Sequence, residues 1–357
     1  MSDKIKVTGI TDIDDKVEIS NDEKTEVTIG SIDLSKVYRL ALDLGSANLK
    51  IAGQIGNEVK FKKIKSKVSL DALDTNYVVK LGDRVLCFGV GDSLIQQDKT
   101  QREYIEETIL LAVNQIYGDF DGILKIDLAL GLPLDLYKSQ NKREYFEMKI
   151  NSMLTKTLSG QVNGQDVFVK INSFKVCAEG YSGFLALHEK MDITTPFLIV
   201  DAGYRTTDIL SININQEDKE LIIGNFKTIN TGLLEVFEDI QKKFLNDTGC
   251  NYTAEVIEDR ILNAPMVKIG LDSVNMKDWI KYGEHTVKEI FKTIQLSFPD
   301  MNSRNIYPIG GGAYTINDII EYMLSEGKIN YKTEIIGTQN ELIYANVAGY
   351  FFQLLED

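Results

Sequence analysis

The sequence predicts an α/β protein built from two halves of similar plan. Three observations carry the prediction. An apolar strand runs into an Asp-x-Gly turn at Asp43 and Gly45, and the same pattern returns at Asp201 and Gly203. Stretches of helical period follow the strands in each half. A third glycine cluster, Gly310, Gly311 and Gly312, ends a strand late in the chain and leads into a helix.

The first hairpin reads Leu40-Ala-Leu-Asp-Leu-Gly-Ser-Ala-Asn-Leu-Lys50. Leu40, Leu42 and Leu44 alternate before the turn, and Leu49 and Ile51 resume after it, which is strand periodicity. Gly45 permits a tight turn and the close approach of a ligand. Asp43 stands where strand meets turn, with Ser46, Asn48 and Lys50 just beyond. Backbone N–H groups, a hydroxyl and an ammonium suit phosphate oxygens, and a carboxylate suits the waters of a Mg²⁺ ion. One such turn reads equally as a structural hairpin whose aspartate bonds its own backbone.

The second copy changes that weighing. Phe197-Leu-Ile-Val-Asp-Ala-Gly-Tyr-Arg-Thr-Thr-Asp-Ile209 repeats the strand, the Asp201-x-Gly203 turn and the returning strand, and adds hydroxyls at Thr206 and Thr207. Where the first copy has Lys50, the second has Asp208, so the two are not chemically equal. Arg205 lies in the loop and is assigned no role.

Two Asp-x-Gly hairpins in order, an acidic turn at Glu179 between them and a late Gly-Gly-Gly resemble the actin-like ATPase superfamily, over residues from about 40 to the C-terminus. The wording Asp-Leu-Gly-Ser-Ala-Asn-Leu-Lys looks most like that of the ParM-type plasmid-segregating actins. The resemblance implies an actin-like two-domain fold, a duplicated ribonuclease H-like core with a nucleotide cleft between the lobes. It implies ATP or GTP with Mg²⁺ as ligands, Asp43 and Asp201 each holding metal-bound waters. Lys50 then reaches the β- or γ-phosphate, the alternative being an exposed lysine at a strand end.

Glu179 is the implied catalytic residue, orienting a water in line with the γ-phosphate and accepting its proton. The plain alternative is an acid favoured by a helix dipole. Gly310, Gly311 and Gly312 let the backbone approach the α-phosphate and ribose, ahead of a helix N-terminus. Glu258, in Thr253-Ala-Glu-Val-Ile-Glu258, is the candidate for base contacts by a looser similarity, and reads equally as part of a solvated helix face.

Length and composition bound the rest. The 357 residues suit two domains, and 43% hydrophobic with 26% charged residues is ordinary for a globular protein. No run approaches a membrane span and no signal-peptide core is present, so a cytoplasmic location is expected. Cys87, Cys177 and Cys250 are too far apart in sequence for a metal-ligand cluster. Only two histidines occur, which makes histidine acid–base chemistry a poor candidate. The net charge of −14 argues against direct DNA binding, since that rests on Lys and Arg.

In chain order, residues 1–36 hold nine acidic and five basic side chains and read as an acidic extension. Strands are expected at 37–44, 48–55 and 58–65, then hairpin strands at 77–80 and 85–88 in a small insertion spanning about 58–100. Ile105, Ile109, Val113 and Ile116 mark a helix. A strand at 126–130 ends at Gly131-Leu-Pro133, a charged helix covers 138–158, and a strand covers 167–172. The Glu179 turn feeds a helix to about Met191, and Asp192-Ile-Thr-Thr-Pro196 is the hinge candidate, since proline bars helix continuation. The second half repeats the plan, with a helix at Leu233, Phe237, Ile240 and Phe244. Residues 252–298 look largely helical, with a second insertion. The glycine-rich strand, a helix at 316–325, a strand at 333–336 and a last helix from 341 follow. Domain one is thus 37–194, completed by 341–357, and domain two is 195–340.

The function implied by the resemblance is a filament-forming ATPase. It polymerises with itself and segregates plasmid DNA through a ParR-like DNA-binding adaptor, with no direct nucleic-acid or membrane contact. The alternatives are another superfamily member, either a small-molecule kinase or a cell-shape filament protein.

Overall fold

A computed structural model describes residues 32–71, 75, 77–93, 98–215 and 221–356. The expected acidic extension falls almost wholly outside the described residues. Two compact units emerge, one of residues 32–132, 136–177 and 347–356, the other of residues 133–135 and 178–346.

In the first unit the chain opens with a meander of β1 (Val37–Leu44), β2 (Asn48–Ile55) and β3 (Glu58–Lys65). The short strands β4 (Lys67–Ser69), β5 (Val78–Leu81), β6 (Arg84–Phe88) and β7 (Asp92–Ser93) follow. A 3₁₀ turn at Lys99–Gln101 leads to α1 (Ile105–Tyr117), then β8 (Ile123–Leu132), α2 (Leu134–Lys138), α3 (Gln140–Leu154), β9 (Leu158–Val162) and β10 (Gln165–Ala178). The sheet order is β3-β2-β1-β8-β10-β9-β5-β6-β4-β7. β1 pairs antiparallel with β2 and parallel with β8. Leu40, Ala41, Leu42 and Leu44 are all buried, as befits a central strand covered on both faces. The predicted α1 face is buried, but so are Leu110, Leu111 and Ala112, so this helix is buried over most of its surface.

The second unit begins with α4 (Tyr181–Leu187), and a further meander follows: β11 (Phe197–Ala202), β12 (Thr207–Ile214) and β13 (Leu221–Ile229). Next come α5 (Leu233–Thr248), α6 (Ala254–Leu262), the hairpin β14 (Met266–Ile269) and β15 (Asp272–Asn275), and α7 (Glu284–Ser297). The chain then runs through β16 (Asn305–Ile309), α8 (Ala313–Ser325) and α9 (Gln339–Gln353). The sheet order β13-β12-β11-β16 repeats the β3-β2-β1-β8 end of the first sheet, with the same antiparallel meander and the same parallel neighbour. This is the duplication foreseen from the paired hairpins. Val236, Phe237, Ile240 and Phe244 of α5 enter the unit's core, each contributing about 1.5–3 kcal/mol by burial.

The structure departs from expectation in several places. Residues 266–275 form a β-hairpin inside the stretch read as largely helical, because Gly270 supplies the turn (φ +62°) for strands too short to show a period. Residues 333–336 form no strand. The Glu334 N–H donates to the Ile306 carbonyl at 2.9 Å, a lone bond beside β16 rather than a ladder. β8 continues through Gly131 and Leu132, so the expected turn there is strand. The units divide at Ala178, ahead of the Asp192–Pro196 segment, because α4 packs within the second unit. Phe184 of α4 lies 5.9 Å, ring to ring, from Phe197, and a Cβ on Gly183 would stand 2.4 Å from Ile309.

Candidate functional site

Asp43 is the penultimate residue of β1 and is buried. Its cross-strand partner is Lys50, whose Nζ lies 3.0 Å from Oδ2. Lys99, in the 3₁₀ turn before α1, approaches Oδ1 at 3.5 Å. Burial alone raises the carboxyl's pKa, but the charges of Lys50 and Lys99 outweigh it and hold Asp43 below the usual carboxylate range. Lys50 is thus no exposed strand-end residue: its side chain is 13% accessible.

The turn itself is clamped. The Gly45 carbonyl accepts from Arg102 Nη2 at 2.7 Å and from the Ser66 hydroxyl at 2.6 Å, and the Leu44 carbonyl accepts from Arg102 at 3.0 Å. A Cβ on Gly45 would meet the Asn48 carbonyl oxygen at 2.4 Å, so this turn closes only around glycine. Ser46 and Asn48 are half-buried.

The second hairpin is built to the same rule. A Cβ on Gly203 would meet the Thr206 carbonyl oxygen at 2.7 Å, again three residues on. Asp201 is the penultimate residue of β11, is buried, and stands opposite Asp208 as Asp43 stands opposite Lys50. Thr206 is half-buried in the loop. Thr207 is fully buried and its hydroxyl donates to the Thr231 carbonyl at 2.9 Å, so that hydroxyl serves the hairpin's own structure.

Three further segments of the second unit converge on Asp201. Asn346 of α9 donates through Nδ2 to Asp201 Oδ2 at 2.6 Å, and its Oδ1 accepts from the Gly180 N–H at 3.0 Å. Gly310 adopts φ +82°, and a Cβ there would stand 2.3 Å from Asp201 Oδ1. The Gly312 N–H donates to the Ala202 carbonyl at 3.0 Å, while Gly311 has open space beside it. Glu179 is buried in the turn after β10, one residue ahead of the Gly180 cap of α4.

Asp208 feels the crowding. Burial raises its pKa most, then the Glu179 carboxylate, with Asp201 and Asp135 adding, and together these put it well above the usual range although the Thr228 hydroxyl bond opposes them. Burial and its acidic neighbours thus bias Asp208 toward its neutral form.

Glu258 lies on α6, half-buried, near Tyr204 of the second hairpin. Burial raises the Tyr204 phenol most, followed by the charges of Glu258 and Glu255, with Arg205 acting against them. Lys99, Arg102, Ser66 and Asn346 are the polar groups around the hairpins that sequence reasoning missed. None carries a motif, and each lies far along the chain from the residue it touches.

Comparison with known proteins agrees with this architecture. Residues 41–181 match the family model described as the N-terminal domain of actin-like proteins, and residues 199–322 match that of the archaeal actin homologue MreB-like C-terminal domain. No curated protein matches the chain by sequence. Among solved structures, an archaeal actin homologue superposes with a TM-score of 0.69 at 17% identity, covering 90% of this chain and 100% of that one. The same homologue in complex with ADP gives 0.68 at 18%, with the same coverage. A subunit of a 15-stranded ParM filament from Clostridium botulinum gives 0.64 at 18%, covering 90% of this chain and 100% of that one. With consecutive actin-homologue domains matched along most of its length, and the duplicated meander to go with them, the chain belongs to the actin-like ATPase superfamily.

Proposed function

We propose that the protein is a nucleotide-dependent, filament-forming ATPase that segregates plasmid DNA through a ParR-like DNA-binding adaptor. The observation that carries the reading is the duplicated hairpin: a buried aspartate at the end of a central strand in each unit, in the same cross-strand register. Ligands of α/β sheets gather at such strand ends. The ADP complex of the archaeal homologue and the ParM filament support the nucleotide and the polymer respectively. The net charge of −14 supports an adaptor rather than direct DNA contact.

The ligands in this reading are ATP or GTP with Mg²⁺. The residues suit them. Asp43 is held ionised by two lysines, as an acceptor of metal-bound water must be, and Asp201 is oriented by Asn346. Bound Mg²⁺ supplies charge neutralisation on the phosphates. Lys50 is placed to exchange its Asp43 partner for a phosphate oxygen. Glu179 orients the attacking water and accepts its proton. Asp208, biased toward its neutral form by burial and the nearby carboxyls, reduces the crowding of negative charge beside Glu179 and Asp201. The turn glycines and their clamps keep the hairpins in shape while the phosphates change.

Light scattering by the purified chain tests the polymer: a rise with Mg²⁺ and ATP or GTP, and none without nucleotide. Filaments in electron micrographs of the same sample are the second readout. A chain that binds nucleotide but never scatters has lost the filament reading. The MreB-like match of the C-terminal half favours one other reading, a cytoskeletal filament that sets cell shape. Altered cell outline with unchanged plasmid retention, on deleting the gene, would select it.

A further inference from the structure

We propose that Arg205 is the phosphate-gripping cation of the second hairpin, its guanidinium taking a phosphate oxygen of the bound nucleotide. The inference rests on the nucleotide reading above and adds to it a residue that the motif comparison left without a role.

Arg205 sits in the loop of residues 203–206 between β11 and β12. Its Nε is sealed from solvent and finds no acceptor among the described residues. Other arginines of low accessibility are served differently. Arg102 donates to the Leu44 and Gly45 carbonyls, and Arg304 to the Asp300 carboxylate and the Ser211 hydroxyl. A buried N–H of a charged group with no acceptor is costly, and it persists where something outside the chain supplies the acceptor.

The rest of the loop explains why a side chain is needed. A helix N-terminus beside a phosphate loop ordinarily offers its N–H groups to the anion. Here the first two N–H groups of α5, and that of its cap Gly232, are already committed. Leu233 N–H donates to the Gly203 carbonyl at 3.1 Å, Leu234 N–H to the Tyr204 carbonyl at 2.9 Å, and Gly232 N–H to the Glu235 carboxylate at 2.9 Å. The cross-strand position that holds Lys50 in the first hairpin holds Asp208 in the second. The cation that the strand lost is present instead in the loop. A guanidinium suits the task, because its planar fork matches two phosphate oxygens.

The test uses the full chain as wild type, Arg205→Gln and Arg205→Lys. Calorimetric titration with Mg²⁺ and ATP is paired with thermal melts with and without nucleotide. Arg205→Gln is expected to weaken ATP binding by about tenfold to a hundredfold, the range for losing a charge-assisted hydrogen bond. Its melting temperature without nucleotide should equal or exceed that of wild type, because an unsatisfied donor has been removed. Arg205→Lys should fall between the two in affinity. Wild-type ATP affinity in Arg205→Gln overturns the inference, and so does a lowered melting temperature without nucleotide, which marks a structural arginine. If Arg205→Gln does not fold, Arg205→Lys decides: it keeps the charge but loses the fork, and wild-type affinity there overturns the contact. A wild type that binds neither ATP nor GTP overturns the nucleotide reading itself, a result visible without any variant.

Discussion

Asn346 holds Asp201: its Nδ2 donates to the aspartate Oδ2 at 2.6 Å, while its Oδ1 takes the N–H of Gly180, next to Glu179. One amide on α9 thereby ties the candidate metal-water carboxylate to the turn that carries the candidate catalytic one. A buried carboxylate is oriented by such hydrogen bonds, because burial keeps bulk solvent from solvating it.

Asn346→Ala should therefore cost about 1–3 kcal/mol of stability, the range for leaving buried hydrogen-bonding groups unpaired. Nucleotide affinity should fall with it. Denaturant melts and calorimetry check both, and an unchanged affinity would show that Asp201 keeps its place without the amide.

The three glycines at 310–312 should differ sharply. Gly310→Ala places a Cβ 2.3 Å from Asp201 Oδ1 at a φ of +82°. The backbone strain alone costs roughly 1–2 kcal/mol, and the carboxylate must also move. Gly311→Ala meets nothing within 4 Å and should be near neutral. Nucleotide titration of the two variants side by side is the measurement, and equal affinities would sink the distinction.

Glu179→Ala should slow hydrolysis by about 10²–10⁴-fold, the usual loss of a general base, while leaving nucleotide binding in place. In scattering traces started with equal ATP, wild type should rise and decay and the variant should rise and hold. A variant decaying on the wild-type schedule would reduce Glu179 to a buried structural acid.

Asp208 sets a pH dependence whose sign follows from its raised pKa. The folded state holds the proton more tightly than the unfolded chain, whose value is near 3.8. The contribution is whole below that value and is lost as pH rises from there through the folded-state pKa. Asp43 has the opposite sign: its contribution is present above 3.8 and is lost as pH falls through its lowered value. Asp208→Asn, which keeps an acceptor for the Thr228 hydroxyl, should raise the melting temperature at pH 7–8 and match wild type near pH 4. Parallel melting curves across that range would remove Asp208 as a source of the slope.

Much of the architecture was legible because it is written locally. Strand alternation around Leu40–Leu44 and the helical spacing of Leu233, Phe237, Ile240 and Phe244 depend on neighbours within a few residues, and both appear as read. The β14–β15 hairpin was not legible, since four-residue strands are too short to establish a period against flanking helices. The reading of 333–336 as a strand failed for the complementary reason. Apolar residues there suggested a ladder, but a strand exists only where a partner offers successive bonds, and Ile306 offers one.

The sequence by itself determined the two aspartates, their glycines and the equivalence of the two hairpins, because a turn's chemistry is set by residues adjacent in the chain. Only the tertiary structure decided what surrounds them. It brought Lys99 to Asp43, Arg102 to the Gly45 carbonyl and Asn346 to Asp201, turned the Thr207 hydroxyl to Thr231, and left the Arg205 Nε buried without an acceptor among the described residues. Those relationships join residues far apart in the chain. Electrostatics and burial act on distance in space, and a pattern along one dimension does not hold that distance.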